Sequence, residues 1–396
     1  MKILHINSVC GVTGTGRIVV DLCREAVKQG HQAVIAYGEH KFQNDPCGID
    51  TIEIGSLKDC NYHAVLTRLF DLQGFGSRGA TRKLLEKIDQ YQPDVIHLHN
   101  LHGYYLHMEL LFKYIKDKKI KTVWTLHDCW AFTGHCVYFE DAGCMKWEKQ
   151  CDRCPLKKQY PASLGLDNSR RNYLRKKKAF TGVEDMTLLV PSKWLAERVK
   201  RSFLKEYPLK VIYNGIDLEA YRPLHGDLRK RYGLENKYII LGVANVWTER
   251  KGLKGFLELA QKLDNKYRIV LVGLNRQQLE GLPDNVLGFT RTDTVDELAQ
   301  FYTAADVFLN LSTEETFGLT IAEAIACGTY PIAYENTACA EIVELSFGKV
   351  VPRDLVAVQE AIVSYCQGDK PDHMEQYASF FSKKRFAKET LKVYEE

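Results

Sequence analysis

No stretch of the 396-residue sequence reaches eighteen uninterrupted apolar residues, and Met1 runs directly into a strand-like segment, Lys2 to Asn7, with no leader pattern. Neither a membrane span nor a secretory signal is therefore expected. Net charge is also scarce: 54 Lys and Arg against 50 Asp and Glu leave +4, too little to argue for a nucleic-acid partner. No fixed short repeat appears, which sets aside solenoids and propellers. With 45% hydrophobic and 26% charged residues, a disordered or fibrous polymer is excluded, and the length suits two domains with separate cores. The expected site of action is the cytosol. Twelve cysteines there stay reduced, so clustered thiols point to metal or catalysis before disulfides.

The small net charge hides an asymmetry. Residues 1–222 hold 34 basic and 25 acidic side chains, and residues 223–396 hold 20 and 25, so the first part carries +9 and the second −5. Basic residues concentrate at Lys113 to Lys121 and at Arg170 to Lys178. A solvated helix face is the plain reading of such runs; an anionic membrane surface or an acidic acceptor is the sharper one.

Short apolar runs alternate with amphipathic segments of helix length, the signature of βαβ units building parallel sheets covered on both faces. One series has strands at Lys2 to Asn7, Gln32 to Tyr37, Val95 to His99, Thr122 to Leu126, Thr187 to Val190 and Val211 to Tyr213. A second has strands at Tyr238 to Ala244, Arg268 to Gly273, Val307 to Asn310 and Tyr330 to Ala333. Between them, Asn214-Gly215 and Pro223 mark a hinge near residue 222. The expected domains are thus 1–222 and 223–375, with a charged C-terminal helix over 376–396 that could pack back on the N-terminal domain.

The segment from Cys129 to Pro161 breaks the alternation. It has five cysteines, and a structureless loop of that length inside a compact domain needs something to fix it. Cys151 and Cys154 form a C-x2-C knuckle, and Cys136 with Cys144 would complete a four-sulfur structural zinc site with no open position for water. Reduced thiols and disulfides remain the other readings. Cys129 lies too close to a strand end that carries candidate chemistry to be chosen as a ligand.

The first strand is followed by a glycine cluster, Gly11, Gly14 and Gly16, opening a helix, where backbone N–H groups and the helix N-terminus suit a phosphate. Taking Gly14 and Gly16 as the first two positions of a dinucleotide fingerprint puts Val19 at the third, with Glu39 near the distance of a ribose-binding acid. An NAD-dependent dehydrogenase is the enzyme alternative that follows. The second half holds the richer pattern. Glu315 and Glu323 are eight positions apart, with Phe317, Gly318 and Leu319 at an expected helix start where N–H groups lack intrahelical partners. Upstream, Asn245, Arg250, Lys251 and Gly252 follow a strand and place cations where phosphates need them.

On Glu315 with Glu323 as an E-x7-E motif, Arg250-Lys251-Gly252, Asn214 to Asp217, Leu126-His127-Asp128 and the glycine loop, the chain resembles the retaining glycosyltransferases of family 4 over nearly its whole length. The resemblance implies an α/β fold of two Rossmann-like domains facing across a cleft, the GT-B architecture. The N-terminal domain would bind the acceptor and the C-terminal one the donor. It also implies transfer of a sugar from a nucleoside diphosphate sugar, with retention and no catalytic metal, in the manner of bacterial polysaccharide-biosynthesis enzymes. Glu323 would bind the ribose hydroxyls, Glu315 the donor sugar and Lys251 the diphosphate, while the backbone around Phe289, Thr290 and Arg291 contacts the base. His127, at the carboxyl end of a strand with Asp128, would face the donor sugar and back the developing positive charge. Where relatives carry a Gly-Arg pair before the Lys, this chain reads Ala244-Asn245, which leaves Arg250 to supply the second charge.

His97, His99 and His102 with Tyr104 and Tyr105 read as an acceptor-site wall rather than a metal centre, because no acid accompanies them. A saccharide or lipid-diphosphate-linked acceptor is expected, and with it a cytoplasmic protein, peripheral at the inner face of the plasma membrane. A third class, a zinc-stabilised nucleic-acid or adaptor module, takes the cysteines and the Arg170 to Lys178 run at face value but leaves Glu315 and Glu323 without a purpose.

Overall fold

The computed structural model describes residues 1–346, 348–368 and 374–396. The chain divides into two compact units, Met1–Tyr213 with Phe386–Glu396, and Asn214–Arg385. The division falls just before the Asn214-Gly215 turn, ahead of the hinge expected near residue 222.

The first unit carries strands β1 (Lys2–Ile6), β2 (Gln32–Tyr37), β3 (Asp50–Glu53), β4 (Val95–Leu98), β5 (Lys121–Thr125), β6 (Met186–Val190) and β7 (Leu209–Val211). They form a sheet in the order β3-β2-β1-β4-β5-β6-β7. The second unit carries β8 (Tyr238–Val243), β9 (Tyr267–Val272), β10 (Val286–Phe289), β11 (Val307–Asn310), β12 (Tyr330–Tyr334) and β13 (Lys349–Val351), ordered β10-β9-β8-β11-β12-β13. Every pairing in both sheets is parallel. Each unit is therefore Rossmann-like, with helices covering two apolar faces, which is why the central strands read as continuous Val, Ile and Leu.

Strand order reverses between β1 and β4 in one unit and between β8 and β11 in the other. Ligands of open parallel sheets bind at the carboxyl ends of strands at such switch points. The loops after β1, β4, β8 and β11 are therefore where chemistry is expected.

Three strands escaped the sequence pattern, namely β3, β10 and β13. All three are short and lie at sheet edges, and the Asp50–Glu53 strand is mostly exposed, so none needs an apolar alternation. The helix Thr13–Lys28 buries Ile18, Val19, Leu22 and Cys23. Val19, the third fingerprint position, is thus a core side chain. In the same unit Phe112, Trp124 and Phe180 pack with centroids 4.5–5.4 Å apart, a fixed platform under β4 and β5.

Candidate active site

In the second unit, the loop after β8 closes with a 3-10 turn, Glu249–Lys251, and then Gly252 at φ +79°. A Cβ at Gly252 would lie 2.5 Å from the carbonyl oxygen of Leu311, so the loops after β8 and β11 meet backbone to backbone there. The N–H of Thr313 donates to the carbonyl of Arg250 at 2.9 Å. These contacts bring Arg250 and Lys251 to Glu315. We expect Gly252→Ala to cost about 1–3 kcal/mol from the backbone conformation, read as a lower melting midpoint of this unit by calorimetry.

Lys251 Nζ donates to Glu315 Oε1, and an Arg250 guanidinium nitrogen lies 3.5 Å from the same oxygen while donating to the carbonyl of Glu314. Arg250 and Lys251, although adjacent in a loop, thus point at one carboxylate. Burial alone would raise the Glu315 pKa; the nearby Lys251 and Arg250 charges outweigh it and hold the carboxyl below its usual range. Glu315 is a buried anion kept ionised by two cations that each retain solvent access.

The helix Leu319–Ala326 starts just after the expected span, Thr316 to Gly318. Gly318, at φ +101°, is its N-cap, and Phe317 is buried in the turn before it. The first N–H groups of this helix lie outside its own ladder. Glu323, one face further on, accepts a hydrogen bond from the Tyr302 hydroxyl at 2.8 Å. Phe289 departs from its expected role. Its ring packs on Phe301 and Tyr232, and its carbonyl accepts from the N–H groups of Gly273 and Leu274, which leaves the exposed Thr290 and Arg291 as the accessible part of that segment. Asn245 is exposed on the loop after β8.

In the first unit, Gly14 and Gly16 sit within the first turn of the helix Thr13–Lys28 rather than in a loop. The loop glycine is Gly11, at φ +69°, where a Cβ would overlap the carbonyl oxygen of Asp45. Glu39 is buried, accepts from the Tyr104 N–H at 2.6 Å and pairs with Lys41 at 2.9 Å. Its carboxylate is thereby spent inside the unit, which removes the ribose-binding acid that the dehydrogenase reading required.

His127 and Asp128 follow β5; His127 is buried and Asp128 half-buried, each beside a histidine. His5 Nδ1 lies 3.1 Å from His99 Nε2, and His99 Nδ1 lies 3.2 Å from His127 Nε2, a row running from β1 through β4 to β5. His97 is flanked by the Tyr394 hydroxyl at 2.5 Å and Thr125 Oγ1 at 2.7 Å. Burial lowers the pKa of His127 to about 4 and of His5 to about 3, so the row is neutral at pH 7. His97, His99 and Tyr105 are therefore interior, not an acceptor wall. The ligand atoms of His5, His97 and His99 lie within 4.8 Å of one another. Partners already engage both His97 nitrogens, His5 and His99 bond each other, and no anion in the trio would offset a cation.

Asp128 is better placed than His127 for surface chemistry. Its carboxylate holds His102 Nε2 at 2.6 Å and accepts from the Trp130 N–H at 2.8 Å. His102 Nδ1 reaches the Tyr160 hydroxyl at 3.2 Å. The Asp128–His102 pair was invisible as a pair in the sequence, because its members lie 26 positions apart on two loops.

Cys136, Cys144, Cys151 and Cys154 line one small cavity. None of the twelve cysteines is in a disulfide.

The family model of Glycosyltransferase Family 4 matches residues 12–220. The chain belongs to this family. A second model, Glycosyl transferases group 1, matches residues 226–378. The transferase is 25% identical over 387 residues to WcaC of Escherichia coli (strain K12), assigned as a colanic acid biosynthesis glycosyl transferase, covering 94% of this chain and 91% of that protein. It is 27% identical over 347 residues to the alpha-monoglucosyldiacylglycerol synthase of Streptococcus pneumoniae (strain ATCC BAA-255 / R6), covering 82% and 68%. Among solved structures it matches the sucrose-phosphate synthase of Thermosynechococcus elongatus with TM-score 0.72, at 18% identity over 100% and 98% of the two chains. It also matches Anabaena Alr3699/HepE in complex with UDP-glucose, with TM-score 0.67, at 16% identity over 99% of each. These likenesses carry the fold, which is GT-B.

Proposed function

We propose that this glycosyltransferase moves a sugar from a nucleoside diphosphate sugar to a saccharide or lipid-diphosphate-linked acceptor, with retention at the anomeric carbon. The observation that carries the reading is the Arg250–Lys251–Glu315 cluster beside the N-terminus of the helix Leu319–Ala326, at a strand-order switch point. A diphosphate arriving there exchanges with Glu315 for the two cations and gains the helix N–H groups. Glu315 is then released to a sugar hydroxyl, and Glu323, oriented by Tyr302, takes the ribose hydroxyls. Thr290 and Arg291 flank the base.

In the transfer, the bond from the anomeric carbon to the diphosphate oxygen breaks as the acceptor oxygen bonds the same face. The acceptor proton passes to the departing diphosphate. Lys251 and Arg250 stabilise the charge that develops on the leaving group, the role a metal plays elsewhere. In the first unit, His127 offers a neutral imidazole, and Asp128 with His102 orients an acceptor hydroxyl.

The names of the two curated relatives, one in colanic acid biosynthesis and one a diacylglycerol glycolipid synthase, favour a polysaccharide or glycolipid product. No helix of the described residues is long and apolar enough to cross a membrane. A peripheral position at the cytoplasmic face is supported by the helix Leu57–Phe70, which exposes Tyr62, Val65, Leu69 and Phe70. Beside it Leu164 and Leu166 are exposed while their N–H groups bond the carbonyls of Arg68 and Leu69. Within the Arg170 to Lys178 run, Arg175 and Lys176 turn inward, onto Glu109 and onto the Trp130 carbonyl, leaving Arg170, Arg171, Lys177 and Lys178 for a surface role.

Thermal shift with a nucleotide panel tests the donor class. Uridine or guanosine diphosphate at a hundredfold excess over Kd should add about 2.7 kcal/mol, while NAD and oligonucleotides leave the midpoint unchanged. Stabilisation by NAD alone would overturn the reading, and an inverted anomeric linkage in the product would remove the retaining step.

A further inference from the structure

Between Cys129 and Asn168 the chain forms only two 3-10 turns, Trp130–Phe132 and Lys146–Glu148, yet it is packed into the first unit with Phe132, Phe139 and Trp147 buried. Up to Ser163 its backbone hydrogen bonds join residues within the stretch, and only Leu164, Gly165 and Leu166 bond to the helix Leu57–Phe70. Buried aromatics and side-chain contacts such as Lys176 to the Trp130 carbonyl tie it to the unit, and its clustered thiols add the chemistry of a cation site.

Cys136, Cys144, Cys151 and Cys154 line one cavity together with His135. Cys136 and Cys154 lie within hydrogen-bonding reach of each other, and the Gly134 N–H donates to Cys151 Sγ at 3.2 Å. His135 is 2% exposed; its Nδ1 lies 2.5 Å from Asp71 Oδ1, while its Nε2 is buried without a hydrogen-bond partner. A carboxylate on one imidazole nitrogen, with the other unpartnered in a residue that lines a thiol-rich cavity, suits a zinc ligand with its outer carboxylate. Lys176, also buried, lies close enough to Cys151 and Cys136 to interact electrostatically, and would offset the negative charge of a thiolate-rich site.

We propose that Cys136, Cys144, Cys151 and Cys154 bind one zinc-class cation as thiolates, with His135 against the same ion site. The site is structural, since four protein ligands leave no place for water or substrate. Its reach extends to the candidate acceptor residues. The carbonyl of Cys136 accepts from Thr133 Oγ1 at 2.5 Å, Thr133 follows the Trp130–Phe132 turn, and the Trp130 N–H holds Asp128. The cation thus anchors the loop that orients Asp128 toward His102.

Elemental analysis of full-length protein prepared without metal-affinity steps or chelator should find one zinc per chain. The Cys151→Ser/Cys154→Ser double variant should lose it, whereas Cys366→Ser in the second unit retains it. Because the double variant risks misfolding, cobalt substitution of the wild-type chain is the second measurement. Intense ligand-field bands of a tetrahedral site, with thiolate-to-cobalt charge transfer, support the proposal. A spectrum with three thiolates and one nitrogen upholds the cation site and moves the fourth position to His135. Metal-free protein with all twelve thiols titratable and an unchanged melting midpoint would overturn it, and so would two thiols lost to a disulfide in freshly lysed cells. Neither readout depends on sugar transfer, so the donor reading and this one fail separately.

Discussion

Replacing Lys251 by Ala should lower sugar transfer by about 10²- to 10³-fold, the range found when one preorganised stabiliser of developing charge is removed. Lys251 is the cation in direct hydrogen-bond contact with Glu315, and Arg250 stands at 3.5 Å, so no other group can take over its contact without moving. The variant also unbalances a buried carboxylate. With Lys251 gone, burial is opposed only by Arg250 and a hydrogen bond from Ser312, the Glu315 pKa rises, and the acid limb of residual activity moves to higher pH. The sign follows from linkage: in the wild type the depressed Glu315 pKa contributes stability that is present above pH ~4.5 and lost as pH falls through the folded value. Glu315→Gln removes the anion instead, leaves a partly hydrated lysine, and should lower transfer with a smaller stability loss. Steady-state kinetics beside thermal melts separates the two. Wild-type turnover by Lys251→Ala would end the phosphate assignment.

The second large effect is acid unfolding of the first unit. Six of its buried histidines have pKa values lowered by burial: His5 to about 3, His63, His107 and His127 to about 4, and His97 and His99 well below the usual value. In the unfolded chain each takes up a proton near pH 6.5, so the stability that neutral burial provides is full above that pH and drains as pH falls toward the folded values. Each contributes about 1.4 kcal/mol per pH unit. His135 works in the opposite sense, because burial lowers its pKa but Asp71 outweighs that and raises it. A margin of about 5–15 kcal/mol is then exhausted within about two to three pH units. Near-ultraviolet circular dichroism should show the tryptophan environments of this unit collapsing between about pH 6 and pH 4, with the second unit persisting. A flat signal to pH 4.5 would contradict this account.

Much of the fold was legible because each parallel strand is buried on both faces and so announces itself as a short apolar run. The edge strands Asp50–Glu53 and Lys349–Val351 were not, since an edge tolerates polar residues. In the candidate site, Lys251, Arg250 and Glu315 were each readable, being charged residues just past strand ends, but their convergence was not. It depends on Gly252 letting two loops touch. The histidines misled in the opposite direction. His97 and His99 alternate like wall residues, yet His5, ninety positions away, and Tyr394, at the far end of the chain, close over them.

By itself, then, the sequence determined the family, the two parallel-sheet units and the charged residues proposed to meet a diphosphate, because periodicity and charged residues after strands are local properties. Tertiary structure alone decided which cation meets which carboxylate, that Glu39 is consumed internally, that Asp128 works with His102, and that His135 joins the cysteines around one cavity. Those are questions of burial and of distance between residues far apart in the chain, and free energy at a site is set by who is near and how dry the place is, neither of which a linear pattern carries.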